Sequence, residues 1–133
     1  MRVLFKEDDD LAARTLERQL RALGHASERI TDVEDLLRHK TELEPDVIIT
    51  DIFMPDIEGL ALIRLLKGSH LSGVPVIAMS GGGSYRGGIS DVGSSFVARA
   101  AVDFGAVKFL SKPISLQALQ TALEQCAQSA PSA

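Results

Sequence analysis

Apolar residues gather in short runs separated by stretches where they recur every three or four positions. Val3-Leu4-Phe5, Val47-Ile48-Ile49, Val74 to Met79 and Val107 to Leu110 are apolar runs interrupted only by Pro75 and Lys108. Such runs predict strands buried on both faces, as in a parallel sheet. His25 to Ile30 is a weaker, largely polar run and predicts an edge strand. Between the runs the spacing is helical. Ala12, Leu16, Leu20 and Leu23 share one face opposite Arg14, Glu17, Arg18 and Arg21, with Asp9 as N-cap and Gly24 as the stop. Val33, Leu36 and Leu37 mark a short helix to about Lys40, capped by Thr31 or Asp32; Leu60, Ile63 and Leu66 mark another, ended near Gly68. Ile89, Val92, Phe96 and Ala100 predict a helix ending at Gly105, and Leu116, Leu119, Leu123 and Cys126 a last one capped by Ser115.

Strand and helix alternate five times, which calls for an α/β fold: a doubly wound five-stranded parallel sheet with helices on both faces. One domain is expected over residues 1–128, with no repeat or linker, and a tail over 129–133 short and polar enough to fray. The 133 residues, 45% hydrophobic and 24% charged, are enough for one core. A net charge of -4 argues against nucleic acid as a direct partner. The single cysteine, Cys126, excludes an internal disulfide and reads as a small core residue. The N-terminus meets charge too early for a secretory signal, and no segment approaches the roughly 20 apolar residues of a membrane span. A cytoplasmic protein is expected. His25, His39 and His70 lie in polar segments without ligand spacing and are expected to be solvated.

The residues that carry chemistry sit where the strands end. Glu7-Asp8-Asp9-Asp10 follows the first run. Four successive carboxylates repel one another unless a hard divalent cation or a helix N-terminus neutralises them. Both can hold, with Asp9 capping and Glu7 and Asp8 facing the strand end. Asp51 follows the second buried run, Ser80 the third, and Lys112 the last, just before Pro113. In an open parallel sheet these carboxyl ends share one edge, and ligands bind there. Three carboxylates suit Mg²⁺ or Mn²⁺, while a hydroxyl and an ammonium complement an oxyanion. Asp51 is then the natural nucleophile, since an aspartate can carry a phosphoryl group as an acyl phosphate. The stretch Gly81 to Gly88 is longer than a usual strand-to-helix loop and reads as mobile. It lacks the Gly-Lys-Ser/Thr that closes a Walker loop and the spacing of a dinucleotide fingerprint.

Taken together, these residues resemble the response-regulator receiver domain of two-component signalling, from Arg2 to about Gln128. In that family an acidic pair ends strand one, the phosphoacceptor ends strand three, a Ser or Thr ends strand four and a Lys-Pro follows strand five. Glu7 and Asp8, Asp51, Ser80 and Lys112-Pro113 match in order. Met54-Pro55 and Gly59 match the turn after the acceptor, and Phe109 the aromatic switch position. The resemblance implies a flavodoxin-like strand order 2-1-3-4-5 and phosphoryl transfer to Asp51 from a histidine kinase or histidine phosphotransfer protein. It implies Mg²⁺ held by Asp8, Asp51 and the Phe53 carbonyl, with Glu7 acting through water. It also implies Ser80 and Lys112 on the phosphoryl oxygens, a cis Lys112-Pro113 bond, a switch through Ser80 and Phe109, and a monomer or weak homodimer. Three features depart from the pattern: Lys6 replaces an apolar strand residue, Asp9 and Asp10 add charge, and the glycine-rich stretch is long. With nothing after the last helix, the chain is expected to stand alone as a signalling domain, not an enzyme, its output an unknown protein target or onward phosphotransfer. Two rivals remain. An aspartate-nucleophile phosphohydrolase places a second aspartate where this chain has Phe53, and a binding module independent of phosphorylation has no need of the full residue set.

Overall fold

The computed structural model describes residues 1–30, 45–52, 58–69, 71–80 and 99–129. Five parallel strands, β1 (Arg2–Lys6), β2 (Ala26–Ile30), β3 (Val47–Asp51), β4 (Val76–Ser80) and β5 (Lys108–Ser111), lie in the order β2-β1-β3-β4-β5. The described helices are α1 (Asp10–Ala22), α2 (Glu58–Lys67) and α3 (Leu116–Ser129), with a further helical stretch over 99–104. This is the expected doubly wound sheet, with the polar strand β2 at its edge.

Successive side chains of a strand point to opposite faces, and here both faces are apolar. Val3, Phe5, Val47, Ile49, Ile77 and Met79 point to the side covered by α1 and α3, where Ala13, Leu16, Leu20, Leu119, Leu123 and Cys126 meet them. Leu4, Ile48, Val76 and Ala78 point to the other side, against Leu62, Ile63, Leu66 and Ala101. A one-residue slip of any central strand would exchange the two sets, so the register is tightly specified. That register sets the site. Lys6 pairs with Thr50, Asp51 with Met79, and Ser80 with Ser111, so the strands reach one edge almost level.

Several boundaries differ from the sequence pattern. The buried face of α1 is Ala13, Leu16 and Leu20, with Leu23 partly buried; Ala12 sits on its shoulder. In α3 the stripe starts one turn later than predicted: Leu116 is exposed and Ala122 fills the core. The strands predicted from Val74 and Val107 begin at Val76 and Lys108, and the last helix keeps Ser129, which the pattern had given to the tail. The caps agree: Asp9 accepts the Ala12 N–H at 2.8 Å, Ser115 accepts the Ala118 N–H at 3.0 Å, and Gly24 leaves α1 at φ +87°. Cys126 is fully buried, and burial pushes its thiol up to about 11, as suits a core residue. His25 is half-buried, against the expectation; its Nδ1 lies 3.1 Å from the Met1 amino group, and burial with that charge lowers its pKa. His39, His70, the Thr31-to-Lys40 helix, the Gly81-to-Gly88 loop, the start of the Ile89 helix and the last four residues lie outside the described residues.

Candidate functional site

Each site residue is placed by the strand before it. Asp51 is the last residue of β3, and the chain beyond it is fixed where the Ile52 N–H donates to the Met79 carbonyl at 2.6 Å. Glu7 leaves the end of β1 and is 2% exposed. Its Oε2 accepts the Asp9 N–H at 3.1 Å, so the acid expected to face the strand end also folds its own loop inward. Lys112 continues the β5 ladder, its N–H donating to the Ser80 carbonyl at 2.8 Å. The Lys112-Pro113 bond is cis, as the resemblance implied. The following turn is tied to α1, where Gln19 Nε2 donates to the Ile114 carbonyl at 2.7 Å.

At the centre stands one ammonium between two carboxylates. Lys112 Nζ donates to Glu7 Oε1 and lies 3.4 Å from Asp51 Oδ2. The other Asp51 oxygen, Oδ1, is buried and has no hydrogen-bond partner among the described residues. Burial pushes the Asp51 carboxyl up to about 6; Lys112 opposes the rise and the like charge of Glu7 adds to it. A cleft of about 240 Å³ opens onto this cluster between α1 and the turn after β5, with Leu11, Ala12, Lys112, Pro113 and Ile114 among its walls.

The raised Asp51 pKa has a consequence for stability. The native state binds this proton more tightly than the unfolded chain, whose carboxyl titrates near 3.8. The stabilisation is present in full below that value and is lost as pH rises through about 6. Asp51→Asn removes the titration. In metal-free buffer, the variant's unfolding free energy relative to wild type is expected to rise from about pH 4 to about pH 6.5 and then level. Paired urea titrations check this, and a difference that stays flat with pH contradicts it.

The other predicted residues are placed less centrally. Asp8 is exposed, its carboxylate 3.6 Å from Lys6 Nζ, so the lysine that departs from the family pattern pairs with the acid beside the site. No group of three or more acidic, histidine or cysteine side chains is gathered as a metal cage among the described residues. Ser80 ends β4 and is buried, and the half-buried Phe109 packs against the Leu4–Ile48–Leu62 side of the sheet. Phe53, Met54 and Pro55 lie outside the described residues.

Sequence reasoning missed Arg29, on the edge strand β2 in register with Phe5. Its Nε and Nη2 donate to the Glu7 carbonyl at 2.9 and 2.7 Å, Nη2 also to the Asp8 carbonyl at 3.2 Å, and Nη1 to Asp10 Oδ1 at 2.8 Å. Asp10 is held below the usual carboxylate range by that guanidinium. The available signal was the acidic run itself, which calls for a cation on whichever strand lies alongside.

The family model for the response regulator receiver domain matches residues 3–124. The chain is 33% identical over 118 residues to the transcriptional regulatory protein PrrA of Mycobacterium leprae, covering 89% of this chain and 46% of that protein. It is similar to the signal receiver domain of a signal transduction histidine kinase from Syntrophus aciditrophicus, with a TM-score of 0.73 and 25% identity over 99% of this chain and 94% of that one. The receiver domain of NtrX from Brucella abortus shares the fold at a TM-score of 0.77 and 24% identity, over 95% of this chain and 98% of that one. The chain spans about half the length of the curated relatives it matches. No helix among the described residues is long and apolar enough to cross a membrane.

Proposed function

Since the chain belongs to the response regulator receiver family of two-component signalling, we propose that it accepts a phosphoryl group on Asp51 from a histidine kinase or histidine phosphotransfer protein. The observation that carries this is the buried Asp51 carboxylate at the carboxyl edge of the sheet, its Oδ2 beside the Lys112 ammonium and its Oδ1 without a partner among the described residues. A carboxylate left that way has an oxygen with which to attack.

In the transfer, an Asp51 oxygen attacks the phosphorus of a phosphohistidine. The phosphorus–nitrogen bond breaks, its electron pair stays on the imidazole, and an aspartyl acyl phosphate forms. With a pKa of about 6, Asp51 is mostly ionised at neutral pH and able to attack. Lys112 opposes the charge that builds on the phosphoryl oxygens, and Ser80 supplies a hydroxyl from the next strand end. Drawing Ser80 toward the new phosphoryl oxygens gives the switch, with Phe109 on the adjacent strand repacking behind it.

Receiver domains typically take Mg²⁺ at this site, and the residues present fit it: Glu7, Asp51 and Asp8 offer oxygen donors, and Asp51 Oδ1 is buried without a partner among the described residues. When bound, the ion neutralises phosphoryl charge that Lys112 alone leaves in part uncompensated.

Incubation with a small phosphodonor and Mg²⁺, followed by intact mass, tests the reading. A stable single-phosphoryl adduct mapping to Asp51 is the expected result. Continuous release of phosphate without an adduct would mark a phosphohydrolase, and neither signal would mark a binding module independent of phosphorylation.

A further inference from the structure

We propose that Arg29 is a positioning residue that sets the affinity of the Glu7–Asp8–Asp51 site for a divalent cation. This rests on the reading above that the site takes Mg²⁺. All three guanidinium nitrogens are engaged, and two of their acceptors are the backbone carbonyls of Glu7 and Asp8, the residues whose side chains would serve the ion. The third engaged acceptor, Asp10 Oδ1, lies in the first turn of α1. One side chain thus straps the β1–α1 turn to the end of β2. With its carbonyl held outward by the fork, Glu7 turns its carboxylate inward to Lys112 and the Asp9 N–H. A planar fork fixes two carbonyls and a carboxylate together, which a lysine ammonium does not.

Two effects oppose each other. Arg29 is itself a cation, and its charge repels a second one. It is 29% exposed, so solvent screens that repulsion, which is worth about two- to fivefold in affinity. Removing an outer group that orients metal ligands costs about 10- to 100-fold. Positioning wins, and loss of Arg29 weakens binding although a like charge has been taken away.

Calorimetric titration of the metal-free protein with Mg²⁺ alone, repeated with Mn²⁺, tests this on wild type, Arg29→Lys and Arg29→Met. Lysine keeps the charge without the fork, and methionine keeps the stem without either. Both variants are expected to bind about tenfold or more weakly, with cooperative unfolding retained in chelator and Asp51 labelling restored to the wild-type level at saturating Mg²⁺. A role in general stability alone would move the unfolding midpoint and leave the affinity of the folded fraction unchanged. An Arg29→Met protein that binds as tightly as wild type, or more tightly, overturns the proposal. A wild type that binds neither ion overturns the Mg²⁺ reading along with it, so the two failures are told apart.

Discussion

Asp51→Asn is expected to cut labelling from a phosphohistidine donor to background, at least about a thousandfold, with the fold intact. An amide is close in shape to the carboxylate, but its oxygen carries no charge with which to attack phosphorus. Among the described residues no surrogate stands ready nearby. Glu7 comes closest, yet both its oxygens are taken, one by Lys112 and the other by the Asp9 N–H. Asp8 points to Lys6 in solvent. The exchange also removes a carboxylate whose ionisation burial opposes, so the fold is expected to persist, and a melting curve of the variant checks this. Radiolabelling and intact mass of both proteins at matched concentrations check it. Labelling of the variant at the wild-type level would remove Asp51 from the role.

The second large effect concerns Lys112. Its ammonium lies between Glu7, 2% exposed, and Asp51, whose side chain is 10% exposed. Lys112→Met keeps the stem and deletes the charge, leaving two buried carboxylates facing each other. Breaking a buried ion pair from one side costs about 3 kcal/mol or more, roughly 10 °C in the unfolding midpoint of a domain this size. The deficit is expected to be largest above pH 7 and to shrink on acidification, as Asp51, pushed up to about 6 by burial, takes up a proton. Saturating Mg²⁺ is expected to recover part of it, because a divalent cation supplies the missing charge. Melting curves from pH 5 to pH 8, with and without Mg²⁺, measure this. A variant as stable as wild type at pH 8 in chelator would show that the lysine does not hold the two acids in the native state.

Much of this was legible in the chain because two signals were strong. Runs such as Val47-Ile48-Ile49 are apolar on both faces only in a covered parallel sheet, and the sheet's carboxyl edge then follows for Glu7, Asp51, Ser80 and Lys112. Where the helix reading slipped, it was by one residue in α1 and by one turn in α3. Ala12 and Ala13 are alike in hydrophobicity, so spacing could not say which one the core would claim. Leu116 is apolar at the right interval but sits in the first turn of α3, where it stays 44% exposed. Arg29 escaped because nothing in the edge strand Ala26–Ile30 says that its guanidinium reaches across to a neighbouring turn. Long side chains act at distances that sequence spacing does not encode. That Glu7 faces the strand end was legible, but its partners, Lys112 and the Asp9 N–H, were hidden for the same reason.

The Glu7–Lys112 contact joins residues 105 positions apart, the first strand's end to the last. Contacts of such separation form only after most of the loop-closure entropy has been met, so this one belongs late in folding. While a nascent chain lacks β5, Asp51 and Glu7 can stand at adjacent strand ends with no ammonium between them. On the proposed function, competence to receive a phosphoryl group therefore arises as the last strand docks. Labelling during refolding would then serve as a clock for that docking, and a phosphohistidine donor would be blind to unfinished copies of the domain.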